Sequence, residues 1–213
     1  MARWEPNARE RLQLAALELF EERGYDRTTV ADIAARAELT ERTFFRYFTD
    51  KREVLFSGTE EFEKLLMSGV ANAPNTMSPL DVVVAAFAAS SPLFESRRAN
   101  ARKRRALIAA HAELRERELI KATKLGAICV ASLRERGVPE ATAALLASTA
   151  ITLFQSAFER WITDAKKRDL AHHLYESLAE LRRLTADTGN AKAQKKISAI
   201  ARAKPAARRR PGS

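Results

Sequence analysis

The chain has 213 residues, with 37 Lys and Arg against 27 Asp and Glu for a formal net charge of +10. Only 7 Gly and 7 Pro are present, and strong helix formers dominate, which excludes a turn-rich β architecture and predicts an all-α fold. The single cysteine, Cys129, excludes an internal disulfide framework, and its place between Ile128 and Val130 reads as a small buried hydrophobe.

Residues 1–60 are net acidic, and the strongest excess of cations falls at 187–213, where eight basic residues face one acidic residue. Net charge alone therefore does not identify a DNA-binding core; the positions of the cations must do so. The N-terminus lacks the apolar core of a signal peptide, and no apolar run nears the length of a membrane span. A cytoplasmic protein is expected.

Asn7 and Glu10 predict an N-cap and capping box. Leu12, Ala15, Ala16, Leu19 and Phe20 then recur on one helical face up to Gly24, a residue suited to a helix stop. A short helix follows from Thr29, with Val30, Ile33, Ala34 and Ala37 as its stripe. Thr40 caps a third helix, in which Phe44 and Phe48 point one way. Asp50 and Glu53 are expected to cap a fourth helix running unbroken through Phe62 and Leu66 to about Val70.

After a loop at 72–79, Ser78, Pro79 and Asp81 restart a helix that should stop near Ser91–Pro92. Two helices are expected within 93–136, one over roughly 140–164 and one over about 168–185. From 186 to 213 the pattern dissolves into Ala, Lys, Arg and Pro, predicting a basic disordered tail.

Thr29 to Phe48 reads as two short capped helices joined by a tight turn, which is helix-turn-helix geometry. Thr40, Arg42, Thr43 and Arg46 are left to face outward, where such side chains bond base edges and phosphates.

Residues 8–56, including ALELFEERGYDRTTVADIA, Thr40, the aromatic pair before Arg46-Tyr47-Phe48, and Asp50-Lys51, closely resemble the TetR family of regulators. The resemblance implies an N-terminal DNA-binding domain at 6–66 and a helical ligand-binding and dimerisation domain at 67–185. It also implies a homodimer on a palindromic double-stranded operator, no cofactor and no enzymatic activity. Residue by residue, it places Thr29 and Tyr47 at phosphate positions and Thr40, Arg42, Thr43 and Phe45 at or near the bases. It places Lys51 at the start of the fourth helix, also on phosphate. One position departs from the family pattern: Glu38 stands where the turn usually has Gly, at an expected cost of about 1 kcal/mol.

The family binds small apolar or amphipathic effectors in its C-terminal domain. Candidate lining residues here are Phe62, Leu66, Phe87 and Phe94, with Leu107, Phe154, Phe158 and Trp161. Each has core packing as its plain alternative. Six cations in nine residues (Arg97, Arg98, Arg102, Lys103, Arg104 and Arg105) suit either a solvated helix face or the phosphates of an anionic effector such as acyl-CoA. FFRYF and DKREVLF also resemble the mycofactocin-regulator-like branch of the family, whose members are associated with acyl-CoA ligands.

Leu145, Thr149, Thr152 and Leu153, with Leu170, Leu174, Leu178 and Leu181, give stripes expected to form a four-helix dimer interface. His111, His172 and His173 lack ligand-like spacing, so no metal is expected. The sequence thus predicts a regulator, a repressor by family habit, nucleoid-associated when on DNA. The alternative is a non-specific DNA-compacting helical protein that uses the basic tail.

Overall fold

A computed structural model describes residues 8–95 and 97–187. The Asn7 cap and the basic tail, apart from residues 186 and 187, lie outside the described residues. All regular structure among the described residues is helical: α1 (Ala8–Arg23), α2 (Val30–Arg36), α3 (Glu41–Tyr47), a 3-10 turn (Glu53–Phe56), α4 (Thr59–Ala71) and α5 (Pro79–Ala89). A short α6 (Pro92–Glu95) leads to α7 (Arg98–Ala110), α8 (Ala112–Glu135), α9 (Glu140–Thr163) and α10 (Leu170–Asp187).

Two hydrophobic clusters organise these helices. The first joins the apolar stripe of α1 to Ile33, Phe44 and Phe48, and to Val54, Leu55 and Phe56 of the 3-10 turn. Ile108 and Leu114, at the junction of α7 and α8, complete it. The second is built from α4, α5, α8, α9 and α10, with Leu66, Val83, Phe87, Leu133, Trp161 and Leu174 among its fully buried members.

The expected continuous fourth helix is two pieces. The Asp50 carboxylate accepts from the backbone amides of Arg52 and Glu53, which caps the 3-10 turn. Ser57 is then extended, and Gly58 sits at φ +86°, a left-handed conformation that interrupts helical hydrogen bonding and favours glycine. Phe62 and Leu66 begin the second cluster, so the change of core falls at Gly58 rather than after residue 66.

Two further expectations are corrected. Leu170, Leu174 and Leu178 do not form an outward stripe; they are buried against α5 and α9 of their own chain. Helix α9 is also more apolar than anticipated: an 18-residue window has mean hydropathy 1.4, long and apolar enough by composition to cross a membrane. It packs against α5, α8 and α10 through Ala143, Ala147, Ala150, Leu153 and Ala157, yet only 28% of that window is buried.

Candidate nucleic-acid interface and effector core

Thr29 is the N-cap of α2. Its hydroxyl accepts from the Asp32 amide at 3.1 Å, while the Asp32 carboxylate takes the Thr29 amide at 2.9 Å and the hydroxyl at 2.6 Å. These donations hold the Asp32 carboxyl below its ordinary pKa against the opposing effect of burial. The hydroxyl and amide expected on phosphate are therefore tied into the cap in the DNA-free chain.

The turn between α2 and α3 is closed by the Leu39 amide donating to Ala34 O at 2.8 Å. Glu38 adopts φ +53°, the strained conformation anticipated where the family pattern has Gly. Arg11 from α1 reaches across to the Ala37 carbonyl at 2.5 Å and to the Glu38 carboxylate at 3.3 Å. Sequence spacing gives no sign of this brace, because it links residues 26 and 27 positions apart.

Thr40 caps α3, its hydroxyl accepting from the Thr43 amide at 3.1 Å and lying 3.0 Å from the Thr43 hydroxyl. Phe44 is fully buried, which anchors the inner face of the helix. Arg42, Phe45 and Arg46 are exposed on the outer face, and Tyr47 is half-buried. The Arg46 guanidinium lies 4.9 Å from the Tyr47 ring and donates to its hydroxyl at 3.2 Å.

Lys51 occupies a different environment from the one expected. Its ammonium donates to the carbonyls of Tyr25, Asp26 and Thr28 at 2.9, 3.4 and 3.1 Å, and sits 4.3 Å from the Tyr25 ring. An ammonium has three donors, so a phosphate contact would have to displace one of these bonds. In this structure Lys51 pins the loop that leads into Thr29.

In the second cluster Phe62, Phe87, Phe94, Phe154, Phe158 and Trp161 form a continuous aromatic assembly. Phe87 and Phe154 stack at 4.9 Å and 28°, whereas Phe94 meets Phe62 edge-on at 5.4 Å. Leu66 is buried in the same cluster. Leu107 is not part of it: α7 turns that residue toward the N-terminal cluster.

The six cations of α7 and its approach are all engaged within the chain. Toward the N-terminal domain, Arg97 pairs with Glu10 at 2.5 Å and Lys103 with Glu21 at 2.6 Å. Arg104 donates to the Leu55 carbonyl and lies over the Phe56 ring at 4.9 Å. Toward the C-terminal domain, Arg98 pairs with Glu95 at 3.3 Å and lies over Trp161 at 4.8 Å. Arg102 Nε donates to the Ile162 carbonyl at 2.9 Å, and Arg105 pairs with Glu159. Residues 98, 102 and 105 share one helical face and 97 and 104 another. Helix α7 is thus a strut bonded on both sides, neither a solvated face nor an open anion site.

Together these features describe a two-domain helical DNA-binding regulator: a helix-turn-helix with an outward-facing second helix, carried on a larger helical core. Comparison with known proteins makes the class specific. Residues 14–57 match the model described as "Bacterial regulatory proteins, tetR family". The HTH-type transcriptional regulator TcmR of Streptomyces glaucescens is 37% identical over 81 residues, covering 38% of this chain and 36% of TcmR. The chain therefore spans about a third of that relative's length in the match.

Solved structures extend the likeness to most of the fold. Thermus thermophilus FadR, a TetR-family repressor in complex with lauroyl-CoA, superposes with TM-score 0.51 at 25% identity, covering 80% of this chain and 91% of FadR. The SmeT–triclosan complex gives TM-score 0.57 at 21% identity over 82% and 91% of the two chains. The chain is a TetR-family transcriptional regulator, not an enzyme.

Proposed function

We propose that this protein is a homodimeric repressor that binds a palindromic operator through α3 and leaves it when a small apolar or amphipathic effector enters the aromatic core. The observation that carries the reading is the division of α3. Phe44 locks one face into the N-terminal core, while Arg42, Phe45 and Arg46 project from the other. A duplex major groove accepts a helix presented in this way. Thr29 and Tyr47 flank it at positions suited to phosphate, and Thr40 and Thr43 set its first turn.

The aromatic assembly is the effector site because its rings contribute from α4, α5, α6 and α9 at once. A guest that separates them must shift α4 relative to α9. Any such shift reaches the DNA-binding domain by two routes, the Ser57–Gly58 joint and the strut α7. FadR with lauroyl-CoA supports an acyl chain as one candidate guest. The α7 cations do not supply the site for its phosphates, because each is committed to a partner in the chain.

The test is selection of bound duplexes from a random pool, followed by titration of the complex with acyl-CoAs, free fatty acids and neutral aromatic compounds. A discrete palindrome released by one of these classes is expected. Binding without sequence preference would replace this reading with non-specific compaction of DNA.

A further inference from the structure

We infer that Phe45 reads a thymine methyl group in each operator half-site, and that Arg42 reads a guanine one or two base pairs away. The inference rests on the reading of α3 as the groove-facing helix, and it follows from what that helix leaves uncommitted. The hydroxyls of Thr40 and Thr43 lie 3.0 Å apart and close the cap, and Arg46 folds back onto Tyr47. Arg42 and Phe45 remain, both exposed, three residues apart on the outer face.

Phe45 is 54% exposed although it is a large apolar side chain. Its ring stands nearly perpendicular to that of Phe44, at 81° and 5.5 Å, and Phe44 is itself fully buried. The exposed ring is therefore propped on the core. An aromatic ring carries no hydrogen-bond donor for a base edge. In the major groove only thymine offers an apolar group, its C5-methyl. Arg42 presents a guanidinium fork, which matches the two acceptors of guanine.

Spacing links the two contacts. Three residues of α-helix advance about 4.5 Å, against about 3.4 Å per base step. The two side chains thus meet bases one or two steps apart, and each half-site should contain a G and a T at that separation.

The experiment uses the full chain and the duplex selected from a random pool. Each thymine is replaced in turn by uracil, which removes only the methyl. One position per half-site should weaken binding about fourfold, the worth of burying one methyl-sized group. Phe45→Ala should bind the thymine and uracil duplexes equally, and Phe45→Leu should keep part of the difference. Circular dichroism checks that both variants are folded, and the wild-type uracil series stands without either.

The inference is overturned if no thymine is methyl-sensitive, or if Phe45→Ala keeps the full sensitivity. It also fails for Arg42 if Arg42→Ala leaves the guanine preference intact. These outcomes differ from failure of the underlying reading, in which no discrete sequence is selected at all.

Discussion

At the scale of single residues, two side chains do work that their position in the sequence disguises. Glu38 holds φ +53° in the turn between α2 and α3, and a residue with a Cβ is strained there. Its compensating ion pair with Arg11 is weak, since the Glu38 side chain is 87% exposed. Glu38→Gly should therefore stabilise the chain by about 0.5–1 kcal/mol, seen as a higher denaturation midpoint. A lower midpoint would show that the Arg11 brace outweighs the backbone strain. Lys51 likewise acts inside the protein. Its three carbonyl contacts hold the loop before Thr29, so Lys51→Met should cost about 1.5–3 kcal/mol of stability. The same variant should leave the slope of log affinity against log salt unchanged. A direct phosphate contact would lower that slope by about 0.9.

At the scale of elements, the helices were largely readable, because caps and stripes are local. Thr29, Thr40 and Ser78 each cap the helix that the sequence assigned to them. What stayed hidden is what depends on contacts between elements. Gly58 carries no periodic signal, yet it splits the fourth helix. A Cβ at Gly69 would lie 2.8 Å from Ala86 Cβ, so α4 and α5 cross closely at a residue that looked unremarkable. Leu107 fits an apolar helix pattern whichever core it faces, and only the placement of α7 turns it toward the N-terminal one. The α7 cations show no nearby acid because their partners lie far along the chain, at Glu10, Glu21 and Glu159. Helix α8 adds a matching clasp, with Arg117 and Lys121 both on Glu53. Burial would raise the Glu53 carboxyl, but the hydrogen bonds from Arg117 and Lys121 outweigh it and hold the pKa below 4.5. The stabilisation is therefore complete above about pH 4.5 and drains away as pH falls through the depressed value. Glu53→Gln should lower stability at neutral pH and flatten its decline below about pH 5, as followed by denaturant unfolding across pH. An unchanged acid limb would assign that decline to other carboxylates.

At the scale of the whole molecule, operator binding requires two copies of α3 about 34–36 Å apart, and one chain supplies only one. The surface suited to bring a second copy is the outer face of α9. Leu145 is 68% exposed there, and a hollow of about 260 Å³ lies beside it, lined by Ser148, Thr149, Thr152, Leu153 and Leu181. The inner leucines of α10 are committed to the core, so α9 and the outer edge of α10 must supply the contact. In a two-fold pairing the same patch meets itself. If two α9 helices cross near Ser148 and Thr149, Leu145 of one falls opposite Thr152 of the other, at the hollow. This arrangement also explains an apolar helix of which only 28% is buried in one chain. Leu145→Glu should place a charge in that contact without disturbing the fold, since the side chain has little to lose in the isolated chain. Sedimentation should then show a monomer at micromolar concentration, with the unfolding midpoint of the isolated domain unchanged. Operator affinity should fall by about 10²–10⁴, the loss of effective concentration when two half-sites are no longer engaged together. Binding to a single half-site should stay as it was, because α3 is untouched. A Leu145→Glu protein that sediments as a dimer would move the interface off this face of α9.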